Sequence, residues 1–434
     1  MLFCLLHFLA YRLIGNECAR HSVRDMTRRK LSSNIPWQIS FSAFLLVFAM
    51  WSPMYCVPPM GNIIREQLLI SHAQLSILYS APIIMVAALA LPGGLLADRI
   101  GVKKAAGIGV ILIAVGTALR GIAHSPSTLL AFTFIYGAGF GLSYPNIPKL
   151  VSAWAPPEKT GATTGLFNLG LPIGSALVFA LTMQVVYPAS NTFQGVFLIW
   201  SIPPIVAAIS WWALVREGPT SMDSQQKHNK VHFMTTLDRV VRNRNLWLLL
   251  SLLFLNEFFM STMMGWSPAL LIMKGATPQM AGIITSVIPW AAVPAVLLMP
   301  RLCDRVGLRR PFLWVPSIVL AVVALVTINA NLSMTWLIMA VIGVAVTTRF
   351  ITILTLIVEL IPDKDVGTAS GLVFIGYIGG VIGPYIAGLS LDISGALNST
   401  LMVLVGVSIA TAGITLRLPE TGHRLRDWGV VKTR

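Results

Sequence analysis

Charge is what this sequence lacks. Only 11% of its 434 residues are Asp, Glu, Lys or Arg, against about 25% in an average soluble domain. So few cannot cover a soluble protein of this size, whereas a lipid-facing surface must exclude them. With 56% apolar residues and a mean hydropathy of +0.77, the chain reads as a polytopic membrane protein. Cysteine is scarce as well. Cys4, Cys18, Cys56 and Cys303 stand apart without CxxC or CxxH spacing, so neither a disulfide framework nor a metal site is expected. No histidine lies in the middle of an apolar run, which argues against a histidine proton relay. There is no GxxxxGK[ST] loop and no soluble domain, so neither a nucleotide-driven pump nor an enzyme with a cofactor is expected. Residues 1–15 are too short to span and lack a basic leader. Met26 is an alternative start, and an interfacial helix is the competing reading.

What is present is a series of long apolar runs. A spanning helix needs roughly 20 such residues. Breaks at charged, Pro and Gly clusters predict twelve helices, over 37–59, 74–97, 104–123, 127–153, 161–187, 194–215, 244–272, 279–300, 311–329, 332–359, 366–390 and 397–417. The one long polar connection divides them six and six. This gives an N-terminal segment 1–36, a six-helix bundle 37–215, a linker 216–243, a second bundle 244–417 and a tail 418–434. Of the 31 Lys and Arg, only Arg65, Arg120 and Lys274 fall on the face opposite the termini, and only Arg349 falls deep within a run. By the positive-inside rule both termini and the linker are expected in the cytoplasm. The net charge of +15 is therefore a topology signal rather than a nucleic-acid footprint.

The second half repeats the first. GGLLADRIGVKK (93–104) and RLCDRVGLRR (301–310) align at an offset of about 206 residues, with Asp98 on Asp304, Arg99 on Arg305, Gly101 on Gly307 and Lys103 on Arg309. The same offset lays GATTGLFNLG (161–170) on GTASGLVFIG (367–376). Paired six-helix repeats are the organisation of secondary transporters. On these residues the chain resembles the major facilitator superfamily over 37–417. Gly94, Asp98, Arg99, Gly101 and Lys103 match that family's loop between helices two and three, and Val102 departs from a usually basic position. The resemblance implies an all-α membrane fold of twelve helices in two pseudo-symmetric halves, acting as a monomer in a lipid bilayer. It says little about the substrate, because one fold hosts many.

In the charged loops, Asp98 is expected to pair with Arg99 and Lys103, and to face the start of helix eleven (Val366, Gly367). Asp304, in its copy, is expected to face Gly161 on helix five. Such contacts would form a cytoplasmic gate; the simpler alternative is that Asp98, Arg99, Gly101, Lys103, Asp304, Arg305, Gly307 and Arg309 set only topology and turn geometry. Glycines crowd helices five and eleven, fitting either a sliding surface between the halves or close static packing.

Glu257 and Arg349 are the charges that stand out. They lie about 18 and 20 Å from the cytoplasmic ends of helices seven and ten at ~1.5 Å per residue. A charge at that depth costs at least ~2.5–3.5 kcal/mol, so it should be paired or line a cavity. The family resemblance puts both helices at the central cavity. Arg349 is a candidate for an anionic group of the substrate and Glu257 for a coupling proton; a static Glu257–Arg349 pair is the alternative. Lys149 is a weaker candidate that can snorkel to the cytoplasmic surface. Asn256, Asn168, Tyr377 and Trp51, with Tyr55, Tyr144, Asn146 and Trp290, are polar or amphipathic residues on expected inner helices. Helix four carries Thr133 where many proton-coupled members of the superfamily carry Arg, and helices two and eight lack the interior Arg of nitrate porters. The expectation is uptake of a small organic or inorganic anion by alternating access, with protons as candidate coupling ion, across the plasma membrane. Efflux of amphipathic compounds and a non-transporting sensor or scaffold are the alternatives.

Overall fold

The computed structural model describes residues 37–147, 149–150, 167–216, 238–362 and 366–422, which form helices and short turns with no strand among them. The chain is a multi-pass all-α membrane protein. We number its spans α1 (Trp37–Tyr55), α2 (His72–Ile100), α3 (Val102–Arg120), α4 (Pro126–Ser143), α5 (Gly170–Leu181) and α6 (Phe193–Leu214) in the first half. In the second half they are α7 (Arg244–Met273), α8 (Pro278–Val306), α9 (Pro311–Asn329), α10 (Leu332–Leu360), α11 (Ala369–Ser394) and α12 (Asn398–Thr415). Eleven helices among the described residues are long and apolar enough to cross a membrane; α4 is not one of them. Residues 151–166, expected to end the fourth span and begin the fifth, lie outside the described residues, as do 1–36, most of the linker and 423–434.

Local chemistry fixes where the helices start. Ser71 and Gln74 form a capping box on α2, and Ser125 and Thr128 form one on α4. Thr277 and Asn331 cap α8 and α10 through the backbone amides of Met280 and Met334. Each side chain satisfies an amide that helix geometry leaves without a partner. The repeat offset carries His72–Ile100 end for end onto Pro278–Val306, and Pro126 onto Leu332. Hydroxyls inside the spans follow a common solution. Thr117, Thr133, Thr262, Thr285, Ser317 and Thr411 each donate to the carbonyl four residues back, whereas the buried hydroxyls of Ser52, Ser80, Ser267, Thr400 and Ser408 have no partner.

The glycines divide by role. A Cβ at Gly170 would meet the Phe44 carbonyl of α1 at 2.7 Å, and one at Gly376 the Leu250 carbonyl of α7 at 2.9 Å. A Cβ at Gly379 or Gly383 would likewise meet α7. These positions pack helices within one half. Gly388 is different: its Cβ would lie 2.6 Å from the His72 carbonyl of α2, across the two halves. The reading of the glycines as a sliding surface therefore narrows to a few positions. Between the halves, α5 packs on α8 and α2 on α11.

α1 is interrupted near its outer end. Pro53 stands inside it, and Pro58–Met60 form a 3₁₀ turn after it. Arg120, expected in the outer face, is in fact 1% exposed and donates from Nη1 to the Pro53 carbonyl at 2.8 Å. Its guanidinium lies 4.0 Å from the Phe197 ring centroid and 5.4 Å from that of Tyr136. Tyr136 donates its hydroxyl to the Met50 carbonyl. Two side chains thus serve carbonyls beside the proline, where regular hydrogen bonding fails. The break sets the part of α1 that carries Trp51 and Tyr55.

Candidate functional site

At the C-terminal end of α2 the motif meets a partner that the spacing did not suggest. Asp98 pairs with Lys149 at 2.6 Å, and the same ammonium donates to the Gly94 carbonyl at 2.9 Å. Lys149, the weaker substrate candidate, makes both contacts at the end of α2 and ties the segment after α4 to that helix. Arg99 is exposed, and Lys103 lies 5.9 Å from the Trp212 ring centroid of α6. Among the described residues the ion pair recorded for Asp98 is with Lys149 rather than with Arg99 or Lys103. Gly101 has φ +92°, on the side of the map that favours glycine, and makes the α2–α3 reversal. The expected partners Gly161, Val366 and Gly367 fall outside the residues whose side chains are described.

In the second copy a network forms around Arg309. Arg309 bonds Asp304 at 2.7 Å and Glu359 of α10 at 2.7 Å. Glu420 accepts from the amides of Arg309 and Arg310 at 2.6 and 3.0 Å, and Thr421 donates to Glu359. Burial opposes the Arg309 charge, yet hydrogen bonds to Glu359, Cys303 and Asp304 outweigh it and raise its pKa above the ordinary arginine value. Gly307 ends α8 in the left-handed conformation, and Arg305 is exposed. Glu359 and Glu420 escaped the sequence reading because they lie 50 and 111 residues from Arg309 and share no local motif with it.

The outer side joins the halves directly. Asp392, at the end of α11, accepts from the backbone amides of His72 and Ala73 at 2.9 Å each and contacts His72 Nδ1 at 2.7 Å. One carboxylate thus occupies the N-terminus of α2, where the helix dipole favours a negative charge. Ser76 adds a bond to the Pro384 carbonyl at 2.8 Å. A carboxylate at an outer helix end was the available signal for this latch, missed because the cytoplasmic motifs held the charge pattern.

Midway along α7 and α10 lie Glu257, Asn256 and Arg349. Arg349 is fully buried; Nε donates to Asn256 Oδ1 at 3.1 Å and Nη1 to Ser317 of α9 at 3.4 Å. The Phe259 ring centroid is 5.8 Å away, and Nη2 has no hydrogen-bond partner. Asn256 Nδ2 in turn donates to Glu257 Oε1 at 3.4 Å. The expected static Glu257–Arg349 pair is thus a bridged arrangement, with one amide between cation and carboxylate. Arg349 sits behind α7, and Glu257 is the member that is partly exposed.

Aromatic side chains cluster on the first half, where Tyr55 lies 6.4 Å from Tyr79 between ring centroids. Trp51 stacks on Tyr55 at 5.9 Å and meets Phe140 edge-on at 4.9 Å. Tyr377 stacks on Phe374 at 5.5 Å. Asn146 spends its amide on the Gly93 and Leu142 carbonyls, a packing role. Trp290 is 44% exposed on α8 and leaves the inner set, and Asn168 is half-buried just before α5. Among the described residues no group of three or more His, Cys, Asp or Glu is placed to hold a metal.

The family model described as Major Facilitator Superfamily matches residues 39–384 and 269–427. The gentisate transporter of Corynebacterium glutamicum is 26% identical over 339 residues, 76% of each chain. The cyanate transport protein of Escherichia coli (strain K12) is 25% identical over 255 residues, 58% of this chain and 64% of that protein. The match thus spans less than two thirds of the length of the first curated relatives. A D-xylose-proton symporter structure superimposes with a TM-score of 0.76 at 15% identity, covering 89% of this chain and 99% of that one. At that identity the likeness establishes the fold alone.

Proposed function

The chain belongs to the Major Facilitator Superfamily, and from that premise we propose that it is a secondary active transporter carrying a small organic anion together with protons. The carrying observation is Arg349: a guanidinium with 0% exposure, held by an amide and a hydroxyl, with Nη2 unpartnered. A donor buried without an acceptor costs about 1–3 kcal/mol, more when charged, and an anionic oxygen on the solute would satisfy it. Relatives named for cyanate and gentisate support an anion over a sugar.

The charge balance of the Arg349–Asn256–Glu257 chain supplies a coupling rule. With no solute, the guanidinium offsets the Glu257 carboxylate across the bridging Asn256. An anion on Arg349 takes over that cation and leaves Glu257 uncompensated at mid-membrane depth, where an isolated charge is costly. A proton on Glu257 restores neutrality, so anion and proton bind together and leave together. The Asp392–His72 latch then alternates with the Asp98–Lys149 and Asp304–Arg309–Glu359 clusters in closing the two sides. In this reading both termini are cytoplasmic, the membrane is the plasma membrane, the protein works as a monomer and no enzymatic step is involved.

Counterflow in proteoliposomes tests the anion. Vesicles loaded with a panel of unlabelled carboxylates and sulfonates should accumulate the matching labelled anion. Arg349→Ala should lower the initial rate at least tenfold, by the range expected when a charge-assisted partner is lost. A rate unchanged in Arg349→Ala, or exchange of neutral solutes alone, would exclude the anion reading.

A further inference from the structure

On the seam between the halves, next to the Asp392–His72 latch, α2 and α11 enclose a cavity of about 120 Å³. Ser76, Ile77, Ser80 and Ile84 of α2 line one side, with Ile382 and Tyr385 of α11 opposite. Neither Arg349 nor Glu257 reaches it, so it is separate from the proposed solute centre.

The cavity opens toward the bilayer. Ile378, Ile382, Tyr385, Leu389 and Ile393 form one exposed stripe on α11 at three- and four-residue spacing. On the other flank of that helix, Gly383 and Gly388 pack against α7 and α2. Ile77 and Ile84 are likewise exposed two turns apart on one face of α2. Both helices are apolar enough to span, so these outward side chains meet lipid. Four of them also line the cavity, which is thus continuous with the lipid-facing surface.

One polar atom in the lining has no partner. Ser80 is 1% exposed and its Oγ makes no hydrogen bond, whereas Ser76, one turn away, bonds the His72 and Pro384 carbonyls. A buried hydroxyl without a partner keeps a desolvation cost that no bond offsets. A bare alkyl tail would fill the cavity and leave Ser80 unmet. Water would meet Ser80 but find too few polar partners on an apolar wall. A carbonyl at the head of an alkyl chain satisfies both. The depth agrees: Ser80 lies about 12 Å along the helix from the charged latch, and Ile84 about 6 Å further. With headgroup layers of roughly 5–8 Å outside the hydrocarbon, Ser80 stands near the edge of the acyl region and Ile84 within it.

We propose that this seam is a lipid site. The acyl chain of a bilayer glycerolipid lies between α2 and α11, and its ester carbonyl accepts the Ser80 hydroxyl. The chain runs from Ser80 past Ile84 and Ile382 toward the bilayer centre. Because α2 belongs to the first half and α11 to the second, the lipid is held only while the halves stand together on this side.

The test places the purified full-length protein in nanodiscs of phosphatidylcholine carrying a diazirine midway along one acyl chain. After illumination, mass spectrometry maps the adducts. Those on Ile77, Ile84, Ile382 and Tyr385 are expected at least threefold above those on Ile318 and Val322, which are exposed on α9. The dialkyl ether analogue, which lacks the carbonyl, should lose most of that excess on the wild-type protein. Ser80→Ala should lose it with the ester lipid and make the two lipids label alike. Thermal unfolding checks the variant, and the comparison of ester with ether on the wild type needs no variant. Adducts spread evenly over the seam and α9 would overturn the site. An excess at the seam that neither the ether lipid nor Ser80→Ala lowers would overturn the assignment of an ester-linked chain to Ser80.

Discussion

At the scale of single residues, the centre depends on an amide placed between two opposite charges. Asn256 offers its oxygen to Arg349 and its nitrogen to Glu257. This keeps the guanidinium compensated without fusing it into an ion pair, as the proposed exchange of Glu257 for a solute anion requires. Asn256→Asp tests that placement. A carboxylate there would pair permanently with Arg349, so anion binding measured by calorimetry should weaken at least tenfold while the thermal unfolding temperature holds or rises. Unchanged affinity would mean that Arg349 does not meet the solute. The opposite charges were legible in the sequence from their depth alone, because a charge deep in an apolar run is costly. The bridge was not, since a neighbouring Asn carries no signal of which way its amide turns. Arg120 illustrates the same limit: its position read as an outer-face cation, and only packing against Pro53 and Phe197 reveals a buried clamp.

At the scale of helices, the two repeat copies share a motif and differ in wiring. Asp98 reaches Lys149 on the chain after α4, whereas Asp304 meets Arg309 within its own loop. Both pairs are partly exposed, so each alone is worth ~0–1 kcal/mol, and the Arg309–Glu359–Glu420 network carries more through its number of bonds. Gly101 is the position where backbone decides: Gly101→Ala would force an L side chain to φ +92°. It should lower stability by ~1–3 kcal/mol, visible as a fall in unfolding temperature. On the outer side, Asp392→Asn removes the charged acceptor at the α2 N-terminus. Labelling of Ser76→Cys by a membrane-impermeant maleimide from outside should then speed up several-fold; an unchanged rate would show that the Asp392–His72 contact does not hold that side shut. The helices and their order were legible because hydrophobic length is local. The latch was not, because its partners stand 320 residues apart.

At the scale of the whole molecule, a 206-residue offset and a one-sided distribution of Lys and Arg were enough to foresee the two-fold helical membrane fold. The proposed centre was not foreseeable to the same degree, because Asn256, Ser317 and Arg349 stand on three helices that no linear motif joins. The central claim is that one proton accompanies each anion because Glu257 must be neutralised when Arg349 is taken. It is tested most directly with a pH-sensitive dye sealed inside proteoliposomes, using benzenesulfonate, which does not cross a bilayer in a neutral form. Adding it outside should acidify the lumen with the wild-type protein. With Glu257→Gln the lumen should stay unchanged while counterflow of the same anion continues. Anion uptake by the wild type without any change in luminal pH would contradict the account.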